Sequence, residues 1–338
     1  MPLNTIRRLG VSLCLVAILN GAMIPPTAMG RGDDWNSVTD RLGGLAPGVG
    51  FLAAEIVDGD CQTIHESNGT QRLAIGSAFK LYVLAELGRQ IASGDASWDE
   101  RIPVQAGLKS MPSGSMLYAP NGSRHTLRYF AERMIAESDN TATDHLIERL
   151  GRERIESALP LFGHDAPEVN TPFLMTREFF AFKISVKPER VDQYLSSSED
   201  EQRAILSNEI DPIQLNEFYW GDWTGPRRID SVEWFASPME LCHVLATLTE
   251  MAETPLLAPI RDILSLNRGG LGNPQEWPYA GYKGGYEAGV FNMTWLLQRD
   301  DHRWFVLTAT LNDPKRYVDQ AAAWQSMVLA ASRLGAES

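Results

Sequence analysis

The hydrophobic period changes twice along this 338-residue chain, and the order of those changes restricts the fold more than composition does. Gly50 to Val57 reads as a buried strand, Asp58-Gly59-Asp60 as a turn, and Cys61 to His65 as a second strand. The period then lengthens: Leu81, Leu84, Leu87 and Ile91 recur at helical spacing from about Ser77 to Ala92, and Gly94 ends the run. After a turn-rich stretch (Pro103, Pro112, Gly114, Pro120, Gly122), Thr126 caps a helix carrying Leu127, Phe130 and Met134. The next helix buries Leu146 and Leu150 and stops at Gly151. Residues 172–252 are helical in parts, most clearly at Phe179-Phe180 and from Pro238 to Leu248. The short period then returns. Tyr282 to Gly285, Val290 to Gln298 and Trp304 to Leu311 read as three strands, with Asp300-Asp301 turning between the last two. A final helix is expected from about Lys315 to Leu334, with Val318, Ala322, Trp324 and Val328 on its apolar side. Strands at both ends and helices between them imply an α/β (α+β) fold. Its five-stranded, mainly antiparallel sheet would be flanked by helices, and the middle of the chain would form an all-helical lobe.

A chain 44% hydrophobic has enough apolar material for a large core, as one domain or two closely joined lobes. Residues 1–30 read as an export signal: Arg7 and Arg8, an apolar run from Leu9 to Leu19, and a small-x-small site at Ala28-Met29-Gly30. Asn20, Gly21 and Pro25-Pro26 interrupt the run below membrane-spanning length, so cleavage and a periplasmic or secreted product are expected. Loss of those two arginines would take the net charge from −13 to −15. Such an acidic protein is a poor partner for nucleic acid or anionic membranes. Cys61 and Cys242 would remain after cleavage; they could pair, but two separately buried thiols are the expected reading. Neither has a C-x-x-C neighbour, and the six histidines form no zinc-ligand spacing, so no metal or other cofactor is implied. Asp144-His145 reads as an exposed helix pair, and no G-x-S-x-G elbow surrounds Ser77. The aromatic stretch Phe218-Tyr219-Trp220-Gly221-Asp222-Trp223, with Trp234-Phe235 after it, reads as packing beneath a long loop; a wall over the serine is the alternative.

Chemistry enters at three ordered motifs: Ser77-Ala78-Phe79-Lys80, Ser138-Asp139-Asn140 and Lys283-Gly284-Gly285. A serine and a lysine three residues apart at a helix start share one face, which pairs a nucleophile with a possible base. Taken singly, each motif could be a helix cap, a turn or a loop. Together they point to serine acyl transfer.

The three motifs resemble those of class A β-lactamases and penicillin-binding proteins. The resemblance extends through Met134 to Ala142, Leu146 to Gly151, Gly289 to Arg299 and Trp304 to Asn312. It covers about 45–155 and 235–335, while 160–235 fit poorly. It implies one catalytic domain over 31–338, with a sheet lobe at about 45–95 and 280–338 and a helical lobe at about 96–279. It further implies that Ser77 is acylated, that Lys80 takes or poises its proton, and that Ser138 relays a proton to the leaving nitrogen. Asn140 would bind substrate and Lys80, Lys283 would hold an acidic substrate group, and the amides of Ser77 and Tyr286 would form the oxyanion hole. Gly284 and Gly285 allow a close backbone approach. Two departures stand out. Lys283-Gly284-Gly285 replaces the commoner Lys-Thr-Gly, losing a hydroxyl that helps bind the substrate carboxylate. The family's deacylating loop glutamate has two rivals here, Glu168 and Glu178, and Glu168 lacks the usual Glu-x-x-Leu-Asn spacing. The expected activity is opening of β-lactam amides by a monomer. The alternatives are a D,D-peptidase or esterase acting on cell-wall peptides or small esters, and a non-catalytic descendant binding a cell-wall fragment or a protein.

Overall fold

The computed structural model describes residues 34–218, 221, 223–271 and 276–336. The expected export signal, Tyr219, Trp220 and Asp222 lie outside them. The strands are β1 (Gly48–Val57), β2 (Asp60–Ser67), β3 (Leu73–Ala74), β4 (Arg101–Pro103), β5 (Arg124–Thr126), β6 (Phe235–Ala236), β7 (Tyr279–Tyr282), β8 (Gly285–Glu287), β9 (Val290–Gln298) and β10 (Trp304–Asn312). The helices are α1 (Trp35–Gly43), α2 (Lys80–Ser93), α3 (Leu127–Ala136), α4 (Asn140–Leu150), α5 (Arg152–Ala158), α6 (Thr176–Ile184), α7 (Pro188–Ser196), α8 (Glu199–Ile205), α9 (Pro238–Met251), α10 (Pro259–Ser265) and α11 (Gln320–Ala336). Among them, none is long and apolar enough to cross a membrane.

The two ends of the chain meet in one antiparallel sheet of order β2-β1-β10-β9-β7, with β8 also paired to β9. Its strands are apolar on both sides because helices cover both. Phe51, Ala53, Trp295, Phe305 and Leu307 pack with residues of α1 and α11 on one face. Leu52, Ala54, Leu296 and Val306 alternate with them and join residues of α2 and α9 on the other. The sheet has one strand more than the five expected, because the run from Tyr282 to Gly285 is divided. β7 ends at Tyr282, Lys283 N–H still donates to Thr294 O at 3.0 Å, and β8 begins at Gly285.

Thr126 caps α3 as expected, its hydroxyl accepting from Tyr129 N. Helix α1 was not legible among polar and glycine residues. Asp34 accepts from Ser37 N at 3.0 Å, and Trp35, Val38 and Leu42 bury one face. Helix α11 starts at Gln320, later than expected. Asp313 first folds the Lys315 and Arg316 amides into a turn at 2.9 and 3.1 Å, and Asp319 then caps Ala322 N at 3.0 Å.

The expectation of two separate thiols is corrected: Cys61 on β2 and Cys242 on α9 form a disulfide, with Cα atoms 6.3 Å apart. Helix α9 packs across β1 and β2, which brings Cys242 over the outer strand across 181 residues of sequence.

Candidate active site

Ser77 lies half-buried in the 3₁₀ turn Gly76–Phe79, which runs straight into α2. The turn is clamped from both sides. Ile75 N–H donates to Trp234 O at 2.9 Å, and Phe79 stacks on Trp234 with ring centroids 3.8 Å apart. Phe179 stacks on the same indole at 4.8 Å. Trp234 and Phe179 also line the cleft beside Ser77, so the indole serves both as packing and as wall. The cleft holds about 20 Å³, room for roughly one water.

Lys80 is fully buried, and its Nζ donates to Ser138 O and Asn140 Oδ1, each at 2.7 Å, with Ser138 Oγ at 3.2 Å. Lys283 approaches the same hydroxyl from the sheet, its Nζ donating to Ser138 Oγ at 3.0 Å and to Gly284 O at 2.6 Å. Ser138 adopts a left-handed backbone (φ 54°), a strain of order 1–3 kcal/mol for a residue with a side chain. Its surroundings hold it there. Ser113 Oγ donates to Ser138 O at 2.6 Å, and Asp139 accepts from Ala142 N at 2.7 Å and Met116 N at 2.6 Å. Asn140 opens α4 and is tied by its amide to Met111 O at 2.8 Å.

Burial dominates the electrostatics. It lowers the Lys80 pKa to about 7, against the opposing pull of Asp139 and Asp144. Lys283 is pushed well below the usual lysine range by burial first and by Lys80 second. Two buried ammonium groups around one hydroxyl repel each other, so a neutral amine beside Ser138 is available near neutral pH.

The glycines after Lys283 let the sheet reach Ser77. A Cβ on Gly285 would stand 2.7 Å from Ser77 N and run into Ile75 O. Gly76, at φ 49°, would with a Cβ come within 3.2 Å of Tyr286 N. The amides of Ser77 and Tyr286 therefore flank one close backbone approach.

The two candidate glutamates stand elsewhere. Glu168 is exposed on the 3₁₀ turn Pro167–Asn170 and is not among the described residues lining the cleft. Asn170, buried beside it, ties this loop to β6 by exchanging bonds of 2.8 and 2.9 Å with the Phe235 backbone. Glu178 is buried in a two-bond pair with Arg152 at 2.5 and 3.0 Å and caps α6 through Met175 N. Helix α6 presents Thr176, Phe179 and Phe180 to the cleft, and Thr176 is the polar one. Asp144 holds it by accepting from Thr176 N (2.7 Å), Thr176 Oγ1 (2.8 Å) and Arg177 N (3.0 Å), and burial raises its pKa to about 7.

Asp144 and His145 are thus buried, contrary to the expected exposed pair. The His145 ring accepts from Gln105 N at 2.8 Å and meets Thr141 O at 2.7 Å, pinning the turn-rich stretch onto α4.

A further group was not foreseen. Glu233 and Glu287, both buried, line the same cleft. Buried Lys183 donates to Glu287 Oε1 at 2.9 Å, and Trp234 N donates to Glu233 Oε2 at 3.0 Å. Among the described residues the remaining oxygens, Glu233 Oε1 and Glu287 Oε2, meet no donor, and a proton shared between the two carboxyls would satisfy both. Burial and the Glu287 charge push Glu233 well above the usual carboxyl range, which neutralises the trio with Lys183. Two acidic residues, one in a loop and one at the end of β8, carry no periodic signal that could have revealed this.

A roomier cleft of about 400 Å³ lies between Arg72, His164, Glu240 and His243. It contains none of the three motifs, and Arg72 is already paired with Asp165 and Glu240.

A model of the β-lactamase enzyme family matches residues 45–209. No curated protein matches the sequence. Among solved structures, the chain is similar to a β-lactamase from Sphaerobacter thermophilus (18% identity, TM-score 0.60, covering 90% of this chain and 100% of that one). It is also similar to a β-lactamase from Francisella tularensis (14%, 0.61, covering 88% and 97%). A third is a variant of PBP-A, solved as its acyl-enzyme complex with penicillin G (16%, 0.56, covering 90% and 97%). With the mixed helix and antiparallel sheet, these matches give the chain a β-lactamase-like fold, consistent with a divergent member of the class A β-lactamase and penicillin-binding protein superfamily.

Proposed function

We propose that this chain is a serine hydrolase that opens β-lactam amides through an acyl-Ser77 intermediate. The observation that carries the reading is the convergence of Lys80 and Lys283 on the Ser138 hydroxyl, at 3.2 and 3.0 Å, beside the turn that bears Ser77. Neutral Lys80 accepts the Ser77 proton as Oγ attacks the carbonyl carbon. The oxyanion is held by the Ser77 and Tyr286 amides. Ser138 passes a proton to the departing nitrogen, and the amide bond breaks to leave an ester. Asn140 orients Lys80 and the substrate. A substrate carboxylate beside Lys283 favours its charged form, and that charge in turn keeps Lys80 neutral. Gly284 and Gly285 bring the strand into reach. Glu168 has no part in this scheme, since it stands exposed outside the cleft.

That same observation favours a second reading, a D,D-peptidase or esterase acting on cell-wall peptides or small esters. With Glu168 exposed and Glu178 held by Arg152, neither supplies a free carboxylate for water attack; in this second reading the β-lactam acyl-enzyme is long-lived and turnover is higher on peptides or esters. Export to the periplasm or medium is supported by the Cys61–Cys242 disulfide, which persists in oxidising compartments. The test is a comparison of turnover on penicillins, cephalosporins, D-Ala-D-Ala peptides and p-nitrophenyl esters, with Ser77→Ala as the blank. β-Lactam turnover above the other classes and lost in Ser77→Ala is the expected result. Turnover retained in Ser77→Ala would remove both readings.

A further inference from the structure

The missing threonine hydroxyl has a structural counterpart. Burial alternates from residue 282 to 287: Lys283, Gly285 and Glu287 are buried, while Tyr282 and Gly284 are partly open and Tyr286 is exposed. Side chains two apart on an extended chain share a face, so Tyr282, Gly284 and Tyr286 point to the open side of this strand. A Cβ built on Gly284 would run into the Tyr282 hydroxyl and lie 2.7 Å from Asn292 O. The phenol oxygen therefore fills the space that a residue-284 side chain would occupy. The ring is fixed in that pose: its centroid is 4.8 Å from that of Trp295, and a Cβ on Gly269 would be 2.5 Å from its Cγ. Burial holds the phenol in its protonated, donor form. Beside it, the Lys283 amine donates to Gly284 O at 2.6 Å, so an O–H donor and an N–H donor flank the same glycine.

We infer that the Tyr282 hydroxyl, reaching over Gly284, binds the carboxylate of an anionic substrate together with Lys283 and selects acidic acyl donors. The inference rests on the acyl-Ser77 reading above. A hydrogen bond to a charged group contributes enough to change a binding or rate ratio by roughly 10- to 100-fold.

The test uses Tyr282→Phe, which keeps the ring and removes only the oxygen. Acylation of Ser77 is measured as kcat/KM with a carboxylate-bearing cephalosporin and with an uncharged p-nitrophenyl ester. The inference expects a roughly 10- to 100-fold loss on the cephalosporin, an unchanged rate on the ester, and an unchanged Tm. Equal losses on both substrates, or no loss on either, would overturn the inference while leaving acyl-Ser77 intact. Failure of the unaltered protein to acylate with either substrate would instead overturn the parent reading, and this inference with it.

Discussion

Moving from pH 8 to pH 5 should switch off acylation at Ser77, because the scheme needs Lys80 without its proton. Burial places the Lys80 pKa at about 7. About nine-tenths of a group with that value is neutral at pH 8, half at pH 7 and about one-hundredth at pH 5. The single-turnover acylation rate should therefore fall roughly 50- to 100-fold over this range, with most of the drop below pH 7. Stopped-flow mixing of excess protein with a chromogenic cephalosporin reads that rate directly. Unfolding must be separated from titration: burial raises the pKa values of Asp144 and Glu233, which favours the fold on acidification, while the lowered pKa values of buried Lys80 and Lys283 work against it. A thermal melt at each pH checks this. A rate flat within twofold from pH 8 to 5, in protein still folded, would refute Lys80 as the proton acceptor.

Three further outcomes follow from the same geometry. Gly285→Ala places a methyl against Ser77 N and Ile75 O; loss of the close approach behind the Tyr286 donor should slow acylation about 100- to 1000-fold, and a change under threefold would contradict it. Reducing Cys61–Cys242 reopens a loop of 181 residues, worth at most about 5 kcal/mol by chain entropy, and Tm should fall by roughly 5–10 °C in dithiothreitol; an unchanged Tm in fully reduced protein would count against this account of its stability. Glu233→Gln supplies an N–H to Glu287 without needing a shared proton. The folded pKa of Glu233 is raised above 4.5, so its contribution is full below pH 4.5 and is lost as pH rises through the folded value. The Gln variant should thus gain Tm relative to the unaltered protein between pH 5 and 8.5, and a pH-independent difference would refute the shared proton.

The layout of the sheet was legible because buried strands and the helix at 80–93 carry strong periodic patterns, and helices covering both faces leave those patterns undisturbed. Ser77 and Lys80 were legible as a local pair, and Lys283, far along the chain, only through the resemblance of its motif. What sequence withheld was long-range. The Cys61–Cys242 bond depends on how α9 crosses β2, and the burial of Asp144 on where α6 docks. Glu168 looked suitable by position alone, yet Asn170 turns inward to hold β6 while Glu168 faces solvent. The pairing of Glu233 with Glu287 joins residues 54 positions apart, which no periodicity encodes.

The most direct test of the central claim is intact-protein and peptide mass spectrometry after brief exposure to penicillin G. The account predicts a single adduct of one opened β-lactam on the peptide containing Ser77, abolished in Ser77→Ala. No adduct together with no hydrolysis, or an adduct that persists in Ser77→Ala, would contradict it.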